Sequence, residues 1–339
     1  MTATGVPLPI SYTGRESFSR YVIQTNATRI LVNALNDLPL NANAGVNSIG
    51  VLVNGVNQGS GMQLGNQGFI SQLSFALPPG TNTIELFDGA CSEVVAGTPP
   101  IRYMPVLSYA IPHGSSHTVL VPTAPAKRYV VLGDSVTMGF YVNAGPGQAA
   151  PYQAWTMLMR AHALASSSGT MAGARVNNAG NGGRAWADDA GSPTLITQSV
   201  ARLTTQLDGT SLNVLIGQMG INDYAAGTSA ATTQSNVGDW ADAVHAALPS
   251  VTIVLVSMLI TTTEGTPNAG GSTPPQCRAA LQNVATARPG FVKFIDGLTL
   301  IPANNPTYFA PDGIHLTTFG MATNEANERT GLNTLGVGY

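Results

Sequence analysis

The sequence predicts two domains, an all-β sandwich followed by an α/β domain built on a parallel sheet. Three observations predict it. The 339 residues are enough for two cores at roughly 100–200 residues per domain. Before about residue 125, short strand-like runs alternate with turns rich in Gly, Asn and Pro, at a spacing that suits a sandwich. After it, apolar strand-like runs alternate with helix-like ones, the pattern of a parallel sheet covered on both faces. The linker is expected at residues 121–126, where Pro122 and Pro125 disfavour regular structure. That gives 1–124 and 125–339 as the two domains.

In the first half, residues 28–34 and 48–53 are β-rich runs, and the second is closed by Asn54-Gly55, a hairpin-turn dipeptide. Residues 69–75 follow, then a Pro78-Pro79-Gly80 turn into residues 83–87. No stretch of this half has a helical period. In the second half, strands are expected at 129–132, 174–177, 212–216, 251–258 and 291–295. Helices are expected at 149–165, 195–207, 239–248, 275–287 and 317–329. The run at 251–258 is the most hydrophobic and reads as buried on both faces. No repeat of fixed period stands out.

Composition narrows the function. Lys plus Arg is 14 against 17 Asp plus Glu, a net charge of −3, so there is no basic footprint for nucleic acid. Only 9% of residues are charged, against a usual value of about 25%, while 44% are hydrophobic. The polar surface must come from Asn, Thr, Ser, Gln and Gly, a texture associated with extracellular or secreted proteins. The N-terminal stretch has neither a basic region nor an apolar core, so no signal peptide is visible. No apolar run is long enough for a membrane span. Cys91 and Cys277 are read as two free thiols, since two cysteines make neither a disulfide framework nor a zinc cluster.

The chemistry is expected at strand ends, because ligands of open parallel sheets bind at the carboxyl edge. Gly133-Asp134-Ser135 follows the first strand of the second half. Asn178 to Arg184, rich in glycine, follows the second, and Gly220-Ile221-Asn222-Asp223 the third. Asp312-Gly313-Ile314-His315 precedes the last helix, a spacing that brings carboxylate and imidazole onto one face of a helical turn. Taken singly, each is more often a turn residue than a catalyst. Taken in order, they supply a nucleophile, a base, an orienting carboxylate and oxyanion donors, the parts of serine acyl transfer.

With those blocks in hand, residues 127 to 330 resemble the SGNH, or GDSL-type, hydrolases, named for their serine, glycine, asparagine and histidine. The resemblance implies a flavodoxin-like three-layer fold with five parallel strands. It implies Ser135 as nucleophile, His315 as base and Asp312 as its orienter. The oxyanion donors would be the Ser135 N–H, the Gly183 N–H and the Asn222 amide. Gly183 is preferred over Gly180 and Gly182 because the family's N-x-G-x-x-G pattern ends there. Val136 stands where many members have Leu. The two-domain plan resembles carbohydrate acetyl esterases with an N-terminal jelly-roll domain. It implies deacetylation of an acetylated polysaccharide or a small ester, with neither metal nor organic cofactor and with no nucleic-acid or membrane partner. An esterase for small aryl or lipid esters, an acyltransferase with the same residues, and a non-catalytic carbohydrate-binding module are the alternatives.

Phe140, Tyr141, Trp186 and Tyr224 follow the blocks closely. Trp186 and Tyr224 are the candidates for stacking on substrate, with core packing the competing role. His113 and His117 are too loop-like for a metal pair, and His162 and His245 read as surface or satisfied helix positions.

Overall fold

The computed structural model describes residues 20–35, 48–58, 62–63, 70–92, 106–110, 119–120, 127–140, 148–149, 154–156, 158–159, 162, 175–180, 183–186 and 212–337. The chain divides into two compact units, residues 1–124 with 143–152, and residues 125–142 with 153–339.

The first unit is built of β1 (Arg20–Thr25), β2 (Arg29–Leu35), β3 (Ser48–Val53), β4 (Val56–Asn57), β5 (Met62–Gln63), β6 (Ile70–Ala76), β7 (Asn82–Ser92), β8 (Val106–Ala110) and β9 (Val119–Leu120). One sheet runs β4-β3-β7-β1-β9, with β5 on β3; the other runs β6-β2-β8. Strand alternation explains their core. Ile23 of β1, Val51 and Val53 of β3, and Ile84 and Leu86 of β7 cluster with Ile30 and Val32 of β2 and Phe75 of β6. Residues two apart share a face, so both sheets turn an apolar face into one cluster. The expected Asn54-Gly55 turn forms between β3 and β4, with φ of 51° and 82° at its two residues. Asn54 also locks it to β7, donating to Asn82 Oδ1 at 2.8 Å and accepting the Thr83 N–H at 2.9 Å. β1 was not expected from the sequence, nor were the short strands β5, β8 and β9.

β10 (Lys127–Gly133) opens the second unit, and β11 (Gln148–Ala149) returns to the first, pairing with Cys91 and Ser92 of β7. Ala149 was expected to open a helix and is instead in this strand; positions 155, 156, 158, 159 and 162 of that expected helix are helical. The expected helix at 195–207 and the linker at 121–126 lie outside the described residues. β12 (Arg175–Gly180), β13 (Leu212–Gln218), β14 (Thr252–Val256) and β15 (Val292–Ile295) complete a sheet of order β12-β10-β13-β14-β15, every neighbouring pair parallel. In chain order this is 2-1-3-4-5, a doubly wound arrangement.

The helices are α1 (Ser135–Met138), α2 (Ile221–Ala225), α3 (Ala230–Ala247), α4 (Pro274–Ala287) and α5 (Thr318–Thr334). Val130, Leu132, Leu215, Ile253, Leu255 and Val292 of the sheet pack with Val237, Trp240 and Val244 of α3 and Leu281 and Val284 of α4. Tyr129, Val131, Val214, Ile216, Val254 and Val256 have the opposite parity and are also fully buried. On that side α5 approaches so closely that a Cβ at Gly331 would lie 2.9 Å from Ile295. Each such aliphatic side chain contributes about 1.5–3 kcal/mol by leaving water. α3 begins nine positions before the expected 239, where Ser229 caps it by accepting the Thr232 N–H at 3.1 Å. α4 opens as expected on Pro274 and Pro275, with Gln276 Oε1 accepting the Thr273 N–H at 2.8 Å.

Candidate active site

Ser135 is placed by the tight exit from β10. A Cβ at Gly133 would fall 1.9 Å from Thr137 Oγ1 and 2.7 Å from the Gln218 carbonyl, so only glycine lets the chain fold back this closely. Asp134 then caps α1, its Oδ1 accepting the Val136 N–H at 2.9 Å. Ser135 is the first residue of that helix and is 7% exposed. Its backbone N–H belongs to the first turn, whose donors have no partner within the helix.

His315 comes from a hairpin that precedes α5. Phe309 pairs with Leu316, the Ala310 N–H donates to the His315 carbonyl at 2.7 Å, and Gly313 takes φ 68° at the turn. Asp312 and His315 were expected on a helical turn; residues 311–315 are turn and bend instead. The carboxylate closes that turn itself. Asp312 Oδ1 accepts the Ile314 and His315 N–H groups at 2.9 and 3.0 Å. Its Oδ2 lies 2.7 Å from His315 Nδ1, and His315 Nε2 lies 2.8 Å from Ser135 Oγ. The Phe140 ring packs on the imidazole with centroids 4.7 Å apart. Burial alone would raise the Asp312 pKa, but hydrogen bonds from the His315 side chain and from the His315 and Ile314 backbones hold it below the usual carboxylate value.

Asn222 lies in α2 and donates from Nδ2 to the Arg184 carbonyl at 2.9 Å. An amide nitrogen carries two protons, and this bond uses one. Gly183 adopts φ 73°, and nothing lies within 4 Å of the Cβ it lacks. Its backbone conformation, not crowding, calls for glycine there.

Two buried carboxylates lie behind these groups. Asp223 Oδ2 accepts the Trp186 N–H at 2.9 Å, tying the Gly183–Trp186 segment to α2. Asp134 is pushed up to about 7, chiefly by burial and further by the charge of Asp223, against the opposing Val136 hydrogen bond.

Beside Ser135 opens a cleft of about 400 Å³, mouth included, lined by Asp134, Val136, Gln218, Met219, Ile221, Met258, Leu259, Ile260, Thr261, Phe309, Gly313 and Ile314. Its far wall is braced. Arg278, 5% exposed, donates to the Leu259 carbonyl and pairs with Glu264, whose Oε1 accepts the Thr261 N–H at 2.8 Å. Asn304 donates to the Ile260 carbonyl at 3.1 Å and the Gly313 carbonyl at 2.8 Å, fastening that wall to the turn holding Asp312 and His315.

The two candidates for stacking on substrate lie in different surroundings. Trp186 is 1% exposed; its Nε1 donates to the Met219 carbonyl and its ring meets Trp240 edge-on at 5.2 Å. A Cβ at Gly217 would fall 2.7 Å from that ring, so the indole fills the core against the sheet and has no face for a ligand. Tyr224 is half-buried, and its hydroxyl donates to the Thr266 carbonyl at 2.8 Å, in the loop after β14. Sequence reading missed Asn304, Arg278 and Glu264, which fasten loop segments to one another and belong to no motif. Cys277 is a free, buried thiol. Among the described residues no group of three His, Cys, Asp or Glu side chains could hold a metal ion, and no helix is long and apolar enough to cross a membrane.

A profile of the GDSL-like lipase/acylhydrolase family matches residues 131–323, more than half of the chain. The chain belongs to that family. As a member it is an ester hydrolase. No curated protein matches it by sequence. Among solved structures, it is similar to a salicylyl-acyltransferase from a tetracycline biosynthetic pathway, at 18% identity and TM-score 0.67 over 94% of this chain and 82% of that one. It is similar to a family two carbohydrate esterase from Clostridium thermocellum, solved with cellohexaose, at 16% identity and TM-score 0.64 over 97% and 99%. It is similar to an acetyl xylan esterase from Butyrivibrio proteoclasticus, at 13% identity and TM-score 0.60 over 93% and 90%. At these identities the likeness is one of fold.

Proposed function

We propose that the protein is a serine esterase that removes short acyl groups, acetyl above all, from a carbohydrate through a covalent acyl-enzyme. The observation that carries the reading is the continuous relay from Asp312 Oδ2 through His315 to Ser135 Oγ, at 2.7 and 2.8 Å. Asp312 holds the proton on Nδ1, leaving Nε2 to take the proton of Ser135 as Oγ attacks the ester carbonyl. The Ser135 and Gly183 N–H groups and the second proton of the Asn222 amide receive the oxyanion. His315 then returns the proton to the departing alcohol. Water enters, loses its proton to Nε2, and releases the acid and free Ser135. A depressed Asp312 pKa suits this role, since the carboxylate stays charged wherever the imidazole works.

The carbohydrate part rests on the likeness to family two carbohydrate esterases along nearly the whole chain. In the same reading the first unit is an accessory sandwich of jelly-roll type, and the low charge content supports an extracellular setting. The cleft favours a second reading of the acyl group. Eight apolar side chains line it, more than a methyl group requires, and one of the similar structures is an acyltransferase. Rates on p-nitrophenyl acetate, butyrate, octanoate and palmitate, with Ser135→Ala as control, decide between them. A maximum at acetate, with release of acetate from acetylated xylan, supports the first reading. A maximum at octanoate or longer replaces it with a lipase, and acyl transfer to an added alcohol replaces it with an acyltransferase.

A further inference from the structure

The hairpin that carries His315 also carries an aromatic pair. In it the Thr317 N–H donates to the Tyr308 carbonyl at 2.9 Å and the Ala310 N–H to the His315 carbonyl at 2.7 Å, on either side of the Phe309–Leu316 pair. Side chains alternate across such a ladder. Phe309 and Leu316 therefore share one face, and both are buried. Ala310 and His315 stand opposite each other in the hairpin, and Tyr308 ends the turn that leads into it, its N–H donating to the Asn305 carbonyl at 3.1 Å. The Tyr308 carbonyl is held by the N–H of Thr317, two residues on from His315.

Phe319, in the first turn of α5, stands 5.5 Å from the Tyr308 ring with the planes 36° apart. It is 57% exposed, one of few large apolar side chains so exposed among the described residues. The contact is built rather than incidental. A Cβ at Gly320 would fall 2.1 Å from the Tyr308 carbonyl, so glycine there allows the helix to come this close. Thr317 accepts the Gly320 N–H at 3.0 Å and donates to the Thr307 carbonyl at 2.7 Å, fixing the helix start to the strand. Asn305 and Thr307, close to Tyr308 in sequence, are exposed.

We propose that Tyr308 and Phe319 form a stacking platform for a sugar ring of the substrate, beside His315 and apart from the apolar cleft. The inference rests on the carbohydrate reading given above. The chemistry separates the two places. A sugar ring in the cleft would leave hydroxyls without partners among apolar side chains. On the platform its C–H face covers an aromatic ring while its hydroxyls stay among polar groups and water. An acyl chain has the opposite preferences.

The test uses the full chain. Phe319→Trp keeps an aromatic face, whereas Phe319→Leu keeps apolar bulk without one. The expected result is a fall of roughly tenfold for Phe319→Leu in the ratio of kcat/KM on acetylated xylo-oligosaccharide to kcat/KM on p-nitrophenyl acetate, mostly in KM, with recovery in Phe319→Trp. Leucine matching phenylalanine in that ratio overturns the platform. A second arm separates this inference from the esterase reading. Unesterified xylo-oligosaccharide is titrated into Ser135→Ala and into Ser135→Ala with Phe319→Leu. Binding by the first and loss in the second support the platform even if no acylated glycan is hydrolysed. No binding by the first, or equal binding by both, overturns it.

Discussion

Two aspartates flank Ser135 and His315 and live under opposite rules. Asp134 is sealed beneath Ser135, 2% exposed, and its pKa is pushed up to about 7. Asp312 sits in the rim turn beside His315 and is held below its ordinary value. Both cap a turn by accepting backbone N–H groups. The difference is the rest of the shell: Asp312 also receives the imidazole and keeps some contact with water, while Asp134 is fully enclosed and faces the charge of Asp223. The same residue type thus serves as a scaffold at one end of the site and as an electrostatic partner at the other. Environment, not identity, assigns the roles.

The largest expected effects break the rim relay. Ser135→Ala should lose on the order of 10⁶ in kcat while keeping its circular dichroism spectrum. Near-normal turnover by a folded Ser135→Ala protein would remove the mechanism. Asp312→Asn should cost less than His315→Ala, at most about 10⁴, because the base remains while its tautomer is no longer held. The reverse order in measured kcat would exchange the two roles. Asn222→Ala should lower kcat by about 10²–10³ with little change in KM. An effect confined to KM would make Asn222 a ground-state binder.

The buried aspartate should respond differently. A carboxyl whose folded pKa is raised adds stability that is fully present below its unfolded value, 3.8, and lost as pH rises toward about 7. Asp134→Asn keeps an oxygen for the Val136 cap and removes that titration. Its Tm should therefore fall less than that of the wild type between about pH 4 and 7. Parallel Tm curves would show that Asp134 stays ionised in the fold. Asp312, with its pKa depressed, should behave with the opposite sign, its contribution present above pH 3.8 and lost in more acid solution. The smallest effect sharpens the oxyanion assignment. Gly183→Ala should destabilise by only about 1 kcal/mol, through its positive φ, with a clearer loss in kcat if its N–H faces the oxyanion.

The contrast also marks what the sequence discloses. The nearness of Ser135, Asp312 and His315 was legible from the order of the blocks, two of them after strand ends and the last before the final helix, an order that carries meaning no block has alone. The apolar runs of β10 and β14 were readable because strands buried on both faces lack polar interruption. The first half of α3 was not, since Ala230 to Gly238 is mostly small and polar and its buried side rests on Thr233 and Val237. Trp186 was left between two roles because an aromatic after a glycine-rich loop looks alike whether it turns to solvent or to the sheet; Gly217 and Trp240, both distant in sequence, place its ring in the core. Asn304 was invisible because the two acceptors it joins are backbone carbonyls, 44 and 9 residues away, which no side-chain pattern marks.

The short strand β11 has a consequence for how the chain is made. It completes an edge of the first unit from a position beyond Ser135, so that unit is not contiguous in the chain. On the ribosome, the partner of Cys91 and Ser92 emerges only after the helix that begins at Ser135 has been synthesised. Maturation of the β-rich unit is therefore interleaved with the start of the catalytic one. A cut after residue 124 separates β7 from its partner Gln148–Ala149, whereas a transplant of the first unit would have to carry the 143–152 segment along.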